Sequence, residues 1–233
     1  MTRGSFRGRA GIVARWPLGL AVVSWRYMWR TTPLHRSEET GTAADLPAGW
    51  AQPPAAGQQA LAAGHGPLLH RNYAVRIAGA GLSPAALIAL VETSLNWASP
   101  EMAVFRKTRG GSDGLAPGDE LVVRMPGPWD GPVRVASRDA TSFRLMTLDG
   151  HLEAGLIEFR AGPDGDALRF EIESWARAGD RLADVLYNRL RLAKEIQLNM
   201  WTHFCLRAAD LAGGRPQGGV TIRTRALAWP PPA

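Results

Sequence analysis

The C-terminal half of the chain has the clearest pattern of apolar and polar positions. Five short segments alternate apolar and polar residues, which is typical of half-buried β-strands. They are separated by turns rich in Gly, Pro and Asp, and they cover residues 119–126, 133–139, 142–149, 153–161 and 167–176. Residues 180–211 follow with an apolar stripe at helical spacing, ended by Gly213 and Gly214. The pattern therefore predicts consecutive hairpins and then one long amphipathic helix.

Further elements are predicted on either side of this region. Residues 72–78 alternate as a strand, and Ser83-Pro84 is a favourable start for a helix over 84–96. Residues 101–108 are a candidate strand. A last short strand over 220–225 can pair with a sheet edge or with the N-terminal arm.

Together these elements predict an α+β fold in which a curved antiparallel sheet grips a long C-terminal helix. This order of elements is similar to the helix-grip plan of Bet v 1 and START-like proteins. A sheet that curves around a helix can enclose a cavity, so we expect a hollow between the two.

Composition divides the chain into a basic, Trp-rich arm (1–40), a Gly/Pro/Ala linker or wrapping segment (41–67), an α+β body (68–225) and a Pro-rich tail (226–233). Residues 1–36 hold seven arginines and no acidic residue. Subtracting those seven charges from the formal net charge of +6 leaves the rest of the chain at −1. A nearly neutral body disfavours nucleic-acid binding, which needs a coherent basic surface.

Residues 10–29 are the candidate for membrane contact or targeting. Arg15, Pro17 and Arg26 interrupt the apolar run, so it is not a membrane-spanning helix. Three alternatives stay open: a helix docked on the body, a helix at the membrane surface, and a processed signal segment. The expected location is the cytoplasm, with a membrane-peripheral position as the alternative, and the sequence does not decide the oligomeric state.

The sequence argues against several kinds of site. Cys205 is the single cysteine, which rules out an internal disulfide and a cysteine-cluster metal site. There is no H-E-x-x-H or P-loop motif, and the VRIAGAG turn at 75–81 lacks the third glycine of a dinucleotide site. No metal and no cofactor are expected.

His151 and Glu153 are weak catalytic candidates. Two residues apart on an extended chain, they point to the same side, where a carboxylate can orient an imidazole for acid–base work. The alternatives are a polar pair at a hairpin or at the rim of a pocket.

Gln197 lies on the apolar stripe of the long helix, where its amide needs a partner because an unpaired buried amide is costly. That partner is either the sheet or a ligand. Trp129 and Asp130 stand in a proline-restricted loop that can cap a cavity, contact a partner or fill the core. The full set of candidate ligand contacts is Arg124, Trp129, Asp130, His151, Trp175, Gln197 and Trp201.

Four segments carry a resemblance to a known family. They are RMPGPWDGPVRV (124–135), TSFRLMTLDGHLEAGLIEF (141–159), ESWARAGDRLADVLYNRLRLAKEIQLNMW (173–201) and GGVTIRTR (218–225). They resemble the DUF1990 (YndJ-like) family of uncharacterised bacterial and plant proteins, over residues 68–225. The resemblance implies a compact α+β domain and supplies no catalytic residues. Leu152 stands where the family's Gly-His-Pro-Glu element has Pro.

Three functions are compatible with these observations. The first is a module that binds an apolar or amphipathic small molecule in an internal cavity. The second is an enzyme that uses His151 and Glu153. The third is a membrane-surface or protein-partner module that acts through the arm.

Overall fold

The computed structural model describes residues 33–101, 103–124, 130–179 and 192–230, with side chains of the last helix described from Gln197 onward. The described strands are β1 (Leu34–Thr40), β2 (His65–Ala78), β3 (Val104–Arg109), β4 (Glu120–Arg124), β5 (Gly131–Arg138), β6 (Ser142–Thr147), β7 (Glu153–Asp164), β8 (Ala167–Ala178) and β9 (Arg215–Leu227). The helices are α1 (Pro84–Thr93), α2 (Leu95–Ala98) and α3 (Leu192–Leu211). Short 3₁₀ turns cover Ala43–Asp45 and Leu61–Ala63.

The nine described strands form one sheet in the order β1-β9-β2-β8-β7-β6-β5-β4-β3. All neighbours are antiparallel except β1 and β9, which run parallel. The last strand therefore pairs both with the sheet, through β2, and with part of the predicted arm, through β1. The predicted fold class, a curved antiparallel sheet with a C-terminal helix, is confirmed.

The helices begin and end for local reasons. Ser83 accepts a hydrogen bond from the backbone N–H of Ala86, as expected for an N-cap residue. Beyond Leu211, Gly213 adopts a positive φ of 67°, a conformation that favours glycine at a helix end. Residues 180–191, the first part of the predicted long helix, lie outside the described residues.

The two faces of the sheet differ in what covers them. The inner face, which we define as the face toward the helices, contributes Phe143, Phe159 and Phe170 to an aromatic core. Trp201 and Phe204 of α3 complete that core. Ring centroids of Phe159 and Phe204 lie 5.3 Å apart. Each phenylalanine in this group is fully buried, and burying such a side chain stabilises the fold by about 1.5–3 kcal/mol.

Residues 41–64, here called the strap, contact the opposite, outer face. Leu61 of the strap packs there in a second apolar cluster with Leu68, Trp175 and Leu227. The indole Nε1 of Trp175 donates to the backbone oxygen of Asp45 at 2.8 Å. The segment that composition describes as a linker or wrapping segment thus lies along the sheet.

The described part of the chain includes no helix that is both long and apolar enough to cross a membrane. Residues 10–29, for which membrane contact is predicted, are outside the described ranges.

Candidate functional site

A chain of hydrogen-bonded polar side chains connects the sheet with α3. Arg71 on β2 donates from Nη1 to the Oε1 of Gln197 on α3 at 2.6 Å. The Nε2 of Gln197 donates in turn to the Oε2 of Glu153 on β7 at 2.6 Å. The amide predicted to need a partner therefore has two, and it links a cation to an anion.

Arg71 is the most buried member of this group, with 5% of its surface exposed. It also bonds to the hydroxyl of Tyr73, two residues along the same strand. Burial raises the pKa of Tyr73, while the neighbouring Arg71 charge opposes that change. Tyr73 is therefore a neutral hydroxyl at physiological pH. A buried guanidinium needs such partners, because an uncompensated buried charge is strongly destabilising.

His151 lies beside this polar chain, in the turn between β6 and β7. Its Nδ1 accepts a hydrogen bond from the backbone N–H of Glu153 at 2.8 Å. His151 as a residue is half-buried, and burial lowers the pKa of its imidazole to about 4. At neutral pH the imidazole is uncharged, and since Nδ1 accepts, the proton belongs on Nε2.

Gly131 makes room for that ring. A Cβ built on Gly131 would lie 2.9 Å from the Nε2 of His151, closer than real Cβ atoms approach. The imidazole thus occupies space that any larger residue at the start of β5 would fill.

The predicted pairing of His151 with the Glu153 carboxylate has a different geometry from the one expected. The imidazole contacts the Glu153 backbone, and the carboxylate contacts Gln197. Among the described contacts, the side chains of His151 and Glu153 share no direct hydrogen bond.

Gln59, from the strap, holds this hairpin in place. Its Nε2 donates to the backbone oxygens of His151 and Glu153 at 3.0 and 3.3 Å, and its Oε1 accepts from Gly150. Thr147 adds a bond from its hydroxyl to the Gln59 backbone oxygen. A residue of the strap therefore positions the hairpin that carries both catalytic candidates.

The other predicted ligand contacts fall into separate groups. Arg124 and Asp130 are exposed at the β4–β5 end of the sheet, and Gly131 next to Asp130 abuts His151. Trp129 is outside the described residues. Trp201 is buried in the inner core, 5.6 Å between ring centroids from Phe159. Trp175 lies on the outer face, in the cluster beneath the strap.

Metal and thiol chemistry have little support in this region. Within the described residues, no three His, Cys, Asp or Glu side chains are placed to hold a metal ion. Cys205 is fully buried, and burial raises the pKa of its thiol far above the ordinary value. The thiol is therefore an apolar core group at neutral pH.

Comparison with known proteins gives one family. The profile of the family described as "Domain of unknown function (DUF1990)" matches residues 37–208, more than half of the chain. A search of curated proteins gives no match.

Solved structures with a similar arrangement of elements share little sequence with the chain. A START superfamily protein from Mycobacterium smegmatis is 16% identical, with a TM-score of 0.45, and the match covers 63% of this chain and 99% of that one. A norcoclaurine synthase point mutant from Thalictrum flavum, solved with a transition-state analogue, is 14% identical, with a TM-score of 0.39 and coverage of 60% and 96%. The major latex-like protein 151 of Panax ginseng is 10% identical, with a TM-score of 0.39 and coverage of 57% and 97%.

Proposed function

The chain belongs to the DUF1990 family, whose description assigns no reaction, and from the chain's own residues we propose that it binds an amphipathic small molecule between the sheet and α3. The polar part of the ligand contacts Arg71, Gln197 and Glu153. Its apolar part lies against the side chains of the inner face.

One observation carries this proposal: Gln197 joins a buried arginine to a carboxylate inside a mostly apolar layer. Sites for small molecules combine mostly apolar walls with a few fixed polar groups that orient the ligand. Arg71 and Glu153 supply a donor and an acceptor, and Gln197 supplies one of each.

The apolar walls next to this polar group are partly accessible. Ile157 on β7 and Leu198 on α3 are partly buried and pack against the inner core. Leu198 follows Gln197 in α3, and Ile157 lies four residues beyond Glu153 in β7, on the same face of the strand. A ligand that contacts the polar group therefore meets apolar surface beside it.

An enzyme that uses His151 as a base receives less support. A neutral imidazole whose Nδ1 is already engaged has only its Nε2 proton to offer, so it serves better as a hydrogen-bond donor to a ligand. We therefore assign His151, with Arg124 and Asp130, to the rim of the proposed site.

The proposal is tested with 1-anilinonaphthalene-8-sulfonate, an amphipathic fluorescent probe. Gln197→Leu removes the amide that organises Arg71 and Glu153, so we expect the affinity for the probe to fall by roughly tenfold, the effect of losing about one hydrogen bond to a charged group. Gln217→Leu is the matched control, because it makes the same chemical change on the exposed surface of β9.

Circular dichroism establishes that each variant keeps the fold. Equal probe affinity for the wild type, Gln197→Leu and Gln217→Leu would refute the assignment of the site. Wild-type protein that does not bind the probe at all would count against an accessible apolar site.

A further inference from the structure

A polar groove of about 190 Å³ lies on the outer face of the sheet, on the side opposite α3. Side chains from β2, β7, β8 and β9 line it: His70, Asn72, Arg160, Arg169, Glu171, Glu173, Arg223 and Arg225. The lining has four guanidinium groups and two carboxylates, so its net charge is positive.

Both oxygens of each carboxylate in the groove already contact a neighbouring side chain. Glu171 accepts from Arg160 at 2.7 Å on one oxygen and from Arg169 at 2.8 Å on the other. Glu173 contacts His70 at 2.7 Å and Arg160 at 2.9 Å. Each oxygen of the two acidic groups therefore already has a partner among these neighbours.

Arg223 is the exception among these arginines. Across the described residues it has no ion pair and no hydrogen bond, whereas Arg225 on the same strand pairs with Glu39 and Asp45. Arg223 stands opposite Asn72 in the β2–β9 register. The Asn72 amide reaches Glu171 only at 3.5 Å, so it also retains capacity to donate.

The end of the groove already holds one anionic group. The carboxylate of Asp45, from the strap, contacts the Nδ1 of His70 at 3.1 Å and the Nη1 of Arg225 at 2.8 Å. His70 and Arg225 therefore bind a carboxylate oxygen. Arg223 and Asn72 lie next to them and offer similar donors, but no carboxylate of the described residues occupies that position.

We propose that the groove binds the phosphate group of a small molecule, with Arg223 as its principal donor. The donors that remain for a ligand come from different strands. Arg223 lies on β9 and Asn72 on β2, and the Nη2 of Arg160 on β7 makes no hydrogen bond among the described contacts. A tetrahedral phosphate presents oxygens in several directions, which suits donors that converge in this way. This site is separate from the one between the sheet and α3, so either can fail without the other.

Pyrophosphate is a suitable probe, and isothermal titration calorimetry at about 0.15 M ionic strength suppresses unspecific attraction between exposed charges. Arg223→Gln should weaken pyrophosphate binding by roughly tenfold, the effect of losing a charge-assisted contact. Arg215→Gln is the matched control, because it removes an exposed arginine from the beginning of the same strand. It should bind as the wild type does.

Two results would overturn the proposal. One is wild-type protein that does not bind pyrophosphate under these conditions. The other is an equal loss of affinity in Arg223→Gln and Arg215→Gln, which would mean that only overall charge matters. Backbone NMR shifts give a second criterion: perturbations should concentrate in β2 and β9 near Asn72 and Arg223.

Discussion

Single side chains at the interface of the sheet and α3 have sharply defined partners. Gln197 uses both ends of its amide, one for Arg71 and one for Glu153. An amide that is used in this way has one orientation, since exchanging its oxygen and nitrogen would place acceptor against acceptor and donor against donor. The polar group is therefore rigid before any ligand arrives, which lowers the entropic cost of binding.

His151 gives a prediction about pH. Its pKa is about 4 in the folded protein and near 6.5 in an unfolded chain. Between these values the unfolded state binds more protons, so His151 makes the protein less stable as pH falls from 6.5 to 4. The difference between the two pKa values limits this loss to about 3 kcal/mol.

Chemical denaturation at a series of pH values measures this effect. His151→Gln, which can still accept from the Glu153 N–H, should flatten the stability profile between pH 4 and 6.5. His35→Gln removes an exposed imidazole on β1 and should keep the wild-type slope. Identical slopes for all three proteins would show that His151 does not titrate in this way.

The alternation of residues along a strand is enough to place Arg71 and Trp175 from the sequence. Trp175 was a candidate ligand contact, but it lies on the outer face. Tyr73, Val75 and Ile77 share the inner face, so Arg71 belongs there too, and a charged residue on an apolar face is a signal that sequence analysis passed over. Trp175 is out of step with Phe170 and Ile172 in β8, so alternation assigns it to the outer face. Gln59 gave no such signal, because its role depends on where the strap lies.

At the scale of elements, tertiary contacts determine where helices end when the local sequence pattern does not. The predicted helix over 84–96 is divided at Ser94 into α1 and α2. Asn96 then uses its side chain on the edge strand: it accepts from the Phe105 N–H at 2.6 Å and donates to the Phe105 oxygen at 2.9 Å. This side chain covers backbone groups that an edge strand would otherwise expose to another chain.

The strap is the element whose attachment is easiest to test. Asp45 binds His70 and Arg225 with one oxygen and the Thr42 backbone N–H with the other. Burial opposes the charged form of Asp45, but these bonds outweigh it and hold its pKa below the ordinary value. Asp45→Asn keeps the shape and removes the charge, so the strap should open more often.

Hydrogen–deuterium exchange of residues 41–64 measures this opening. Hydrogen bonds to charged groups contribute about 1.5–3 kcal/mol, so exchange in the strap should become at least about tenfold faster in Asp45→Asn. Asp113→Asn is the control, because Asp113 lies in an exposed loop and accepts a hydrogen bond from the neighbouring Ser112. Unchanged protection of the strap in Asp45→Asn would refute its attachment through this carboxylate.

The molecule as a whole places its two polar groups on opposite faces of one sheet. The inner group lies among apolar side chains near α3. The outer network is a series of polar side-chain contacts that runs from Glu39 through Arg225, Asp45, His70, Glu173, Arg160 and Glu171 to Arg169. The strap touches both, through Asp45 on the outer face and Gln59 at the hairpin of His151. The overall fold followed from alternation and helical spacing, because both are set by local burial. The outer network did not, since pairing across strands depends on register.

The most direct measurement is mass spectrometry of the small molecules released by denaturing the protein after purification from its native host. The account predicts that wild-type protein retains an amphipathic molecule and that Gln197→Leu, expressed and purified in the same way, loses most of it, while Gln217→Leu keeps it. The account would be contradicted if wild-type protein released no such molecule, or if Gln197→Leu released the same molecule in the same amount.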